Sequence, residues 1–131
     1  MKQVDHIINE RTILKFLTEH NAEHLERDQL EQVCPFIIQF YSSFQDNDKL
    51  YFELEYVQGC SLISQIRSTN PLIQKNMVFY ASETLLTLKF LHGLGIIYRD
   101  LKPENMVLSM NERGHLKLVD FGFAKRIHGK Q

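Results

Sequence analysis

The chain has 131 residues and a mass of 15.5 kDa, which is enough for one compact domain. Hydrophobic residues make up 44% of it and charged residues 24%, a composition typical of a chain that folds around a core and not of a disordered one. Fifteen basic residues against sixteen acidic ones give a formal net charge of -1, without the basic excess typical of nucleic-acid-binding proteins.

The first segment, residues 2–20, repeats apolar residues at helical spacing, which predicts an amphipathic helix. Its apolar face comprises Val4, Ile7, Ile8, Leu14 and Leu17. Glu10 falls on the same face, where a carboxylate needs either a polar partner or, at the helix edge, contact with water. The polar stretch 19–32 that follows is interpreted as a solvated helix or an insertion.

Two strands are predicted next, over residues 36–44 and 50–57. The residues between them, Asp46, Asn47 and Asp48, are typical of a turn, so the two strands are expected to form a hairpin. Glu53 lies in the middle of the second strand and should point to its less buried face.

The second half of the chain predicts two helices and another hairpin. A short helix is expected over 61–67 and a longer one over 70–92. The apolar stripe of the longer helix comprises Ile73, Met77, Tyr80, Ala81, Leu85, Leu88 and Leu91. Strands over 106–109 and 116–119 follow, with a turn at 111–114. Helices and strands that do not alternate regularly indicate an α+β fold.

The strongest chemical signal lies in two short motifs, YRDLKPEN and, further along, DFG. Phosphoryl transfer needs a carboxylate at the nucleophile, a cation on the transferring group and oxygen ligands for Mg²⁺. Asp100 can orient a hydroxyl and accept its proton, and Lys102 can reach the γ-phosphate of ATP. Asn105 and Asp120 supply metal-binding oxygens, which the predicted hairpin between them brings together.

These motifs resemble the catalytic loop and the DFG motif of eukaryotic protein kinases, a highly specific combination at hairpin spacing. Lys102 is similar to that of serine/threonine kinases, and Tyr98 to that of the cyclic-nucleotide-dependent (AGC) branch, above all the cAMP-dependent kinases. The sequences LKFLHGLGIIYRDLKPEN and KQVDHIINERTIL extend the resemblance over nearly the whole chain, apart from residues 15–34.

The resemblance implies that residues 1–131 form a partial protein kinase domain of the α+β class. Part of the N-lobe sheet and helix C would lie in residues 1–54, with an insertion at 15–34. Residues 55–60 would form the hinge, and residues 61–131 the first part of the helical C-lobe with the catalytic-loop hairpin.

The resemblance also assigns roles by position. It implies nucleotide contacts at Leu54, Glu55, Val57, Glu104, Val107 and Asp120. Among these, Leu54 matches the gatekeeper, and backbone groups of Glu55 and Val57 would bind adenine. Glu10 matches the helix-C glutamate that pairs with the ATP-anchoring lysine. The stacked hydrophobic residues that join the two lobes would be Leu14, Phe40, Tyr98 and Phe121.

Several family features are missing from the sequence. No glycine precedes Gly59, so there is no Gly-rich loop over the phosphates, and no strand lysine precedes Glu10. The chain ends shortly after Asp120, without an activation-loop threonine or a substrate floor. Ser61 replaces the acidic ribose-binding residue, and Glu53 replaces an apolar residue of the hinge strand. We expect a fragment of a kinase, with weak Mg-ATP binding at best and no useful turnover alone.

Two functions of different classes remain open. The first is a serine/threonine protein kinase of the cAMP-dependent type that uses ATP and Mg²⁺ to phosphorylate protein hydroxyls. Its catalytic residues would be Asp100, Lys102 and Asn105, and its metal ligands Asn105 and Asp120. The second is a truncated, non-catalytic module that binds a kinase partner or a cyclic-nucleotide-binding regulatory subunit. The four intact phosphate-transfer residues favour the first function, because a binding module does not need them.

Nothing in the sequence predicts export or membrane insertion. No apolar run approaches the roughly 20 residues that span a bilayer, and the first residues lack the apolar core of a signal peptide. Cys34 and Cys60 show neither a disulfide framework nor a metal-binding spacing. We therefore expect a cytoplasmic protein with reduced thiols, no membrane span and no nucleic-acid partner.

Overall fold

The computed structural model describes residues 2–68, 71–110 and 114–127, without the side chains of residues 2, 3, 72 and 73. The helices are α1 (Lys2–Glu26), α2 (Leu62–Arg67), α3 (Pro71–Lys75) and α4 (Met77–Gly93), with short 3-10 turns at Leu30–Gln32 and Pro103–Asn105. The strands are β1 (Phe40–Gln45), β2 (Leu50–Leu54), β3 (Gly59–Ser61), β4 (Ile96–Ile97), β5 (Met106–Ser109), β6 (Leu116–Leu118) and β7 (Lys125–Arg126). This mixture of helices and small sheets confirms the α+β class. In the described part of the chain no helix is long and apolar enough to cross a membrane.

The strands of the described residues form three small antiparallel sheets. β1 pairs with β2, β5 lies between β3 and β6, and β4 pairs with β7. Residues 36–38, which precede β1, lie beside β6. The Leu118 N–H donates to the Phe36 carbonyl (2.8 Å), and the Ile38 N–H donates to the Leu118 carbonyl (3.1 Å). These contacts join the first half of the chain to the β5–β6 hairpin.

The helix α1 continues to Glu26 and does not end at His20 as the apolar pattern predicts. Its last turns carry an i,i+4 ion pair between Glu23 and Arg27 (2.8 Å). The amide of Asn21 donates to the Cys34 carbonyl (2.9 Å) and accepts the Cys34 N–H (3.2 Å), so the returning chain is tied to the helix. The polar stretch therefore continues the helix and then folds back along it.

The buried face of α1 lies further along the helix than predicted. Ile13, Leu14 and Leu17 are buried, but three members of the predicted face are exposed: Val4 by 58%, Ile7 by 39% and Ile8 by 55%. The helical spacing of apolar residues identifies the correct face, but it does not show which turns of that face pack against other segments.

The β1–β2 hairpin confirms the prediction. One oxygen of the Asp46 carboxylate accepts the N–H groups of Asp48 (2.9 Å) and Lys49 (2.7 Å), which closes the turn and holds the pKa of Asp46 below its usual range. Glu53 is exposed, as the strand alternation predicts. Because the register shifts between Phe40 and Ser42, the strand has an irregularity near its start.

The predicted long helix is two helices, α3 and α4, because the backbone of Asn76 (φ -102°, ψ 12°) is not helical. The buried residues of α4 are Tyr80, Glu83, Thr87 and Leu91. Of the predicted stripe, Met77, Ala81 and Leu85 are exposed, Leu88 is half-buried, and the side chain of Ile73 lies outside the described ones.

A buried carboxylate explains why the face of α4 differs from its apolar stripe. Glu83 is only 4% exposed, accepts the Leu116 N–H (2.8 Å) and forms a short hydrogen bond with His115 Nδ1. This polar contact fixes the start of β6 against α4.

The second predicted hairpin is also confirmed, since β5 and β6 pair antiparallel with Met106 opposite Leu118. Its turn is described only at Gly114, which has a left-handed φ of +82°. The strands β3, β4 and β7 were not predicted, because two or three residues are too few to show an alternating pattern. The largest fully buried apolar side chains of the described core are Leu14, Leu17, Leu91, Ile96, Tyr98, Leu116, Leu118 and Phe121.

Replacing Glu83 by alanine should destabilise the fold by about 1–3 kcal/mol, because the Leu116 N–H and the His115 ring would lose their buried acceptor. Glu83→Gln keeps an acceptor oxygen and should cost less. Urea denaturation measures both, with Glu23→Ala in an exposed ion pair as the control. An equal free energy of unfolding for Glu83→Ala and Glu23→Ala would contradict this view of the α4–β6 contact.

Candidate active site

The loop that carries the YRDLKPEN motif is anchored at its first residue. Tyr98 is 1% exposed, and its ring meets that of Phe121 edge to face with centroids 5.1 Å apart. Its hydroxyl donates to the Val119 carbonyl (2.7 Å). Burial raises the pKa of Tyr98 far above its ordinary value, so the hydroxyl stays a donor. The loop is thus attached to the segment that precedes the DFG motif.

Two residues of the site have left-handed backbones although neither is glycine. The φ angles are +66° at Arg99 and +53° at Asp120. Such conformations cost of order 1–3 kcal/mol each and cluster at functional sites. The Arg99 Nε donates to the Phe123 carbonyl (2.7 Å), which connects the two strained segments.

The three predicted catalytic residues form one hydrogen-bonded group. The amide nitrogen of Asn105 donates to Asp100 Oδ2 (2.8 Å) and to the Asp100 carbonyl (3.0 Å). Lys102 Nζ lies 3.2 Å from Asp100 Oδ1. Asn105 is buried, the Asp100 side chain is 19% exposed and that of Lys102 is 46% exposed. The carboxylate is therefore held from inside the fold and paired with a cation at the surface.

Asp120 lies next to this group. The Val119 N–H donates to the Asn105 carbonyl (3.0 Å), so the residue before Asp120 is bonded to the catalytic loop. The Asp120 carboxylate is exposed and accepts the Gly122 N–H at Oδ1 (3.1 Å). Since the Asn105 nitrogen faces Asp100, its amide oxygen is the end that can bind a cation.

Negative charge is concentrated around Tyr98. After burial, the carboxylates of Asp120, Asp100 and Glu10 all act to raise its pKa. No group of three or more His, Cys, Asp or Glu side chains converges on one point within the described ranges. The carboxylates near Tyr98 are the kind of ligand that Mg²⁺ takes, one or two at a time, together with substrate phosphates.

Glu10 has a polar partner and also keeps some contact with water. Its carboxylate accepts the Phe121 N–H (3.0 Å), and the residue is half-buried. Burial raises the pKa of Glu10, the Phe121 N–H opposes that shift and the charge of Asp120 adds to it. The contact joins α1 directly to the DFG motif.

The predicted nucleotide contacts lie on two connected elements. Leu54 ends β2, and Glu55 and Val57 follow it; all three are half-buried. Val107 lies in β5 and is half-buried, whereas Glu104 is exposed in the short turn before that strand. Glu104 directly precedes Asn105 of the group around Asp100.

The predicted stack of hydrophobic residues lies within one core cluster. Leu14, Phe40, Tyr98 and Phe121 are all buried in it. Ser61, at the expected ribose position, caps α2 by accepting the Ser64 N–H (3.3 Å).

One functional candidate was missed from the sequence. Lys117 is 5% exposed, and its ammonium lies 3.0 Å from Glu55 Oε1. In the sequence, Lys117 stands between two leucines of a predicted strand. This pattern is typical of a strand with one solvated face, so it does not indicate a buried lysine. Only the three-dimensional contact distinguishes the two cases.

The raised pKa of Glu10 implies that the stability of the fold depends on pH. A pKa raised by folding contributes stability below the unfolded-state value, and that stability is lost as pH rises through the folded-state value. The Glu10→Gln variant is neutral at every pH. Its melting temperature should therefore increase relative to that of the wild type when the pH is raised from about 4 to about 7. Thermal unfolding at both pH values measures the gain. Glu26→Gln, at an exposed position at the end of the same helix, is the control; an equal gain in both variants would contradict the assignment.

Comparison with known proteins gives a consistent result. A family model described as protein kinase domain matches residues 2–131. A cAMP-dependent protein kinase catalytic subunit of Dictyostelium discoideum is 39% identical over 99% of this chain and 17% of the relative. A catalytic subunit-like protein of Caenorhabditis elegans is 38% identical over 99% of this chain and 28% of the relative.

A third relative comes from another kinase of the same branch. Ribosomal protein S6 kinase alpha-2 of Mus musculus is 44% identical over 77% of this chain. That match covers 14% of the mouse protein, so the chain spans between 14 and 28% of the length of these three relatives. The predicted resemblance is confirmed. Because the family model matches residues 2–131, the chain belongs to the protein kinase family.

Proposed function

We propose that the chain carries the hinge and the catalytic loop of a serine/threonine protein kinase, which transfers the γ-phosphoryl group of ATP to protein hydroxyls. The observation that carries this proposal is the group formed by Asp100, Lys102 and Asn105, bonded through Val119 to the segment of Asp120. A carboxylate, a cation and oxygen donors for a metal are the parts that phosphoryl transfer uses.

Asp100 receives the proton of the attacking hydroxyl. The Asn105 amide nitrogen holds one of its carboxylate oxygens, which fixes the orientation of the base. Lys102 contacts the other oxygen from a side chain that is 46% exposed, so its ammonium is free to rotate toward a phosphoryl group. The hydroxyl of a serine or threonine side chain would approach Asp100 from this exposed side.

Asp120 and the amide oxygen of Asn105 would hold Mg²⁺. The exposed Asp120 carboxylate and the concentration of acidic residues around Tyr98 both fit a divalent cation. When bound, Mg²⁺ neutralises charge on the phosphates of ATP. The left-handed backbone of Asp120 and its Oδ1 bond to the Gly122 N–H keep the carboxylate in one place.

The adenine base would lie between the hinge and β5. Backbone groups of Glu55 and Val57 would bind its polar edge, with Leu54 at the back and Val107 on the floor. Glu104 would lie near the ribose and phosphates. Since no glycine precedes Gly59, the phosphates lack a glycine-rich cover in these residues, and we expect only weak affinity for Mg-ATP.

The likeness to cAMP-dependent kinases supports a regulatory partner as part of the proposal. Two of the relatives described above carry that name. A cyclic-nucleotide-binding regulatory subunit and protein substrates with serine or threonine would then be the partners of this chain. The pairing rests on the likeness, and no described contact is assigned to it.

A non-catalytic module that binds a kinase partner is the second candidate. Its support is the exposed apolar side of α4, where Val78 is 79%, Leu85 68% and Leu86 54% exposed. The intact catalytic group favours the first candidate. The two differ in one measurable property, which is Mg²⁺-dependent binding of ATP.

The wild-type chain should bind ATP at least about tenfold more tightly with Mg²⁺ than with EDTA, because the cation bridges Asp120 and the phosphates. Asp120→Asn should remove most of that difference. Equilibrium dialysis with labelled ATP measures it, and Asp48→Asn, in the β1–β2 turn, is the charge-matched control. Equal affinity with Mg²⁺ and EDTA would contradict the metal site. No ATP binding at all would favour the non-catalytic module.

Phosphoryl transfer is tested on the protein isolated from its own cells with an antibody against the largely exposed segment 19–32. Asp100→Asn, introduced in the genome, should lower transfer of labelled phosphate to serine and threonine peptides by about 10²-fold or more. ATP affinity should change much less than the rate of transfer, because Asp100 acts on the hydroxyl. Transfer at the wild-type rate would contradict the role of Asp100.

A further inference from the structure

A buried ion pair connects the hinge to the β5–β6 hairpin. Lys117 lies in β6 and is 5% exposed, although lysine is almost never buried without a partner. Its Nζ lies 3.0 Å from Glu55 Oε1 and 3.2 Å from Glu55 Oε2, and the Glu55 side chain is 18% exposed. Both oxygens of the hinge carboxylate thus face the same ammonium.

The other bonds of Glu55 fix its backbone as well. Glu55 Oε2 accepts the Gln39 N–H (3.1 Å), and the Glu55 N–H donates to the Gln39 carbonyl (2.9 Å). The hinge residue is therefore held through its main chain and its side chain at once. Its carbonyl, which would face adenine, can move only if these bonds rearrange.

Lys117 links this fixed residue to both halves of the proposed nucleotide site. It lies directly opposite Val107 in the β5–β6 pairing, so the two side chains share one face of the hairpin. The same strand continues through Val119, which bonds to Asn105, into Asp120. One ammonium therefore connects the hinge, the expected floor beneath adenine and the strand that ends at the metal ligand.

We propose that the Glu55–Lys117 ion pair positions the hinge backbone for the adenine base and so sets the base selectivity of the site. This inference rests on the proposed function. Neither side chain is expected to touch the nucleotide, so both are positioning residues. The carbonyl of Glu55 can accept from the 6-amino group of adenine, whereas guanine presents an oxygen there, so selectivity depends on where that carbonyl lies.

Breaking the pair removes a contact between the hinge carboxylate and the hairpin. Without Glu55, the ammonium of Lys117 loses the two carboxylate oxygens that face it, and the Glu55 backbone loses the hold that its side chain provides. Without Lys117, the Glu55 carboxylate turns toward solvent and its bond to the Gln39 N–H weakens. Both changes displace the hinge carbonyl, which lowers affinity for ATP more than affinity for GTP.

The test compares Lys117→Met, Glu55→Ala and the double variant with the wild type. Binding of Mg-ATP and Mg-GTP is measured by equilibrium dialysis, and hydrogen exchange of the Glu55 and Val57 amides is measured without nucleotide. Each single variant should lower the ATP-to-GTP affinity ratio by about tenfold and speed exchange at the Glu55 amide. The affinity ratio of the double variant should be no lower than that of the more affected single variant, because both substitutions act through one contact.

Leu116→Val provides the matched control. Leu116 is buried in the same strand, and its side chain points to the opposite face from Lys117. This variant lowers the thermal unfolding midpoint without touching the pair, so it should keep the wild-type affinity ratio and the slow exchange of the Glu55 amide.

The outcomes separate the inference from the proposed function. If the wild type prefers ATP and the Lys117→Met variant keeps that preference, the positioning role is overturned and the nucleotide site stands. If Leu116→Val changes the ratio as much as Lys117→Met, the pair acts only through stability and the inference is also overturned. If the wild type binds neither nucleotide, the proposed function is wrong and this inference falls with it.

Discussion

The backbone hydrogen bond from the Val119 N–H to the Asn105 carbonyl (3.0 Å) is the contact on which the site depends. It closes the β5–β6 hairpin at the end where the catalytic loop enters and the DFG motif leaves. The Val119 carbonyl accepts the Tyr98 hydroxyl, so the same residue also anchors the start of that loop. With the backbone fixed in this way, Asn105 reaches Asp100 and the next residue, Asp120, lies beside them.

Around that hairpin, carboxylates lie close together. Glu10, Asp100 and Asp120 are close enough to act on one tyrosine, and Asp120 has a left-handed backbone. Repulsion by Asp120 raises the pKa of Glu10, and the left-handed backbone persists only where the surrounding structure holds it in place. That support comes from polar contacts, since no buried side-chain nitrogen or oxygen of the described part lacks a hydrogen-bond partner. A divalent cation would relieve the repulsion, which is why stability and metal binding are expected to be coupled.

Local patterns were predictable and contacts between distant segments were not. The turn at Asp46 and the two hairpins follow from residues close in sequence, and the phosphate-transfer motif identified residues that do lie together. The exposure of Ile8 and the burial of Glu83 depend on which segments pack against each helix face. The helical spacing of apolar residues in the sequence cannot show this. The same holds for Lys117, whose partner is 62 positions away. Sequence therefore predicted which polar residues gather at the site better than the long-range contacts that hold them there.

If Asn105 and Asp120 hold the metal of a bound nucleotide, as we propose, paramagnetic broadening by Mn²⁺ will locate that metal. Mn²⁺ replaces Mg²⁺ in such sites and broadens the NMR signals of nearby amides. With ATP present, we expect selective broadening at the Asn105 and Phe121 amides, and loss of this broadening in Asp120→Asn. Broadening confined to other acidic residues, such as those of the β1–β2 turn, or equal broadening in the variant, would rule out this metal site.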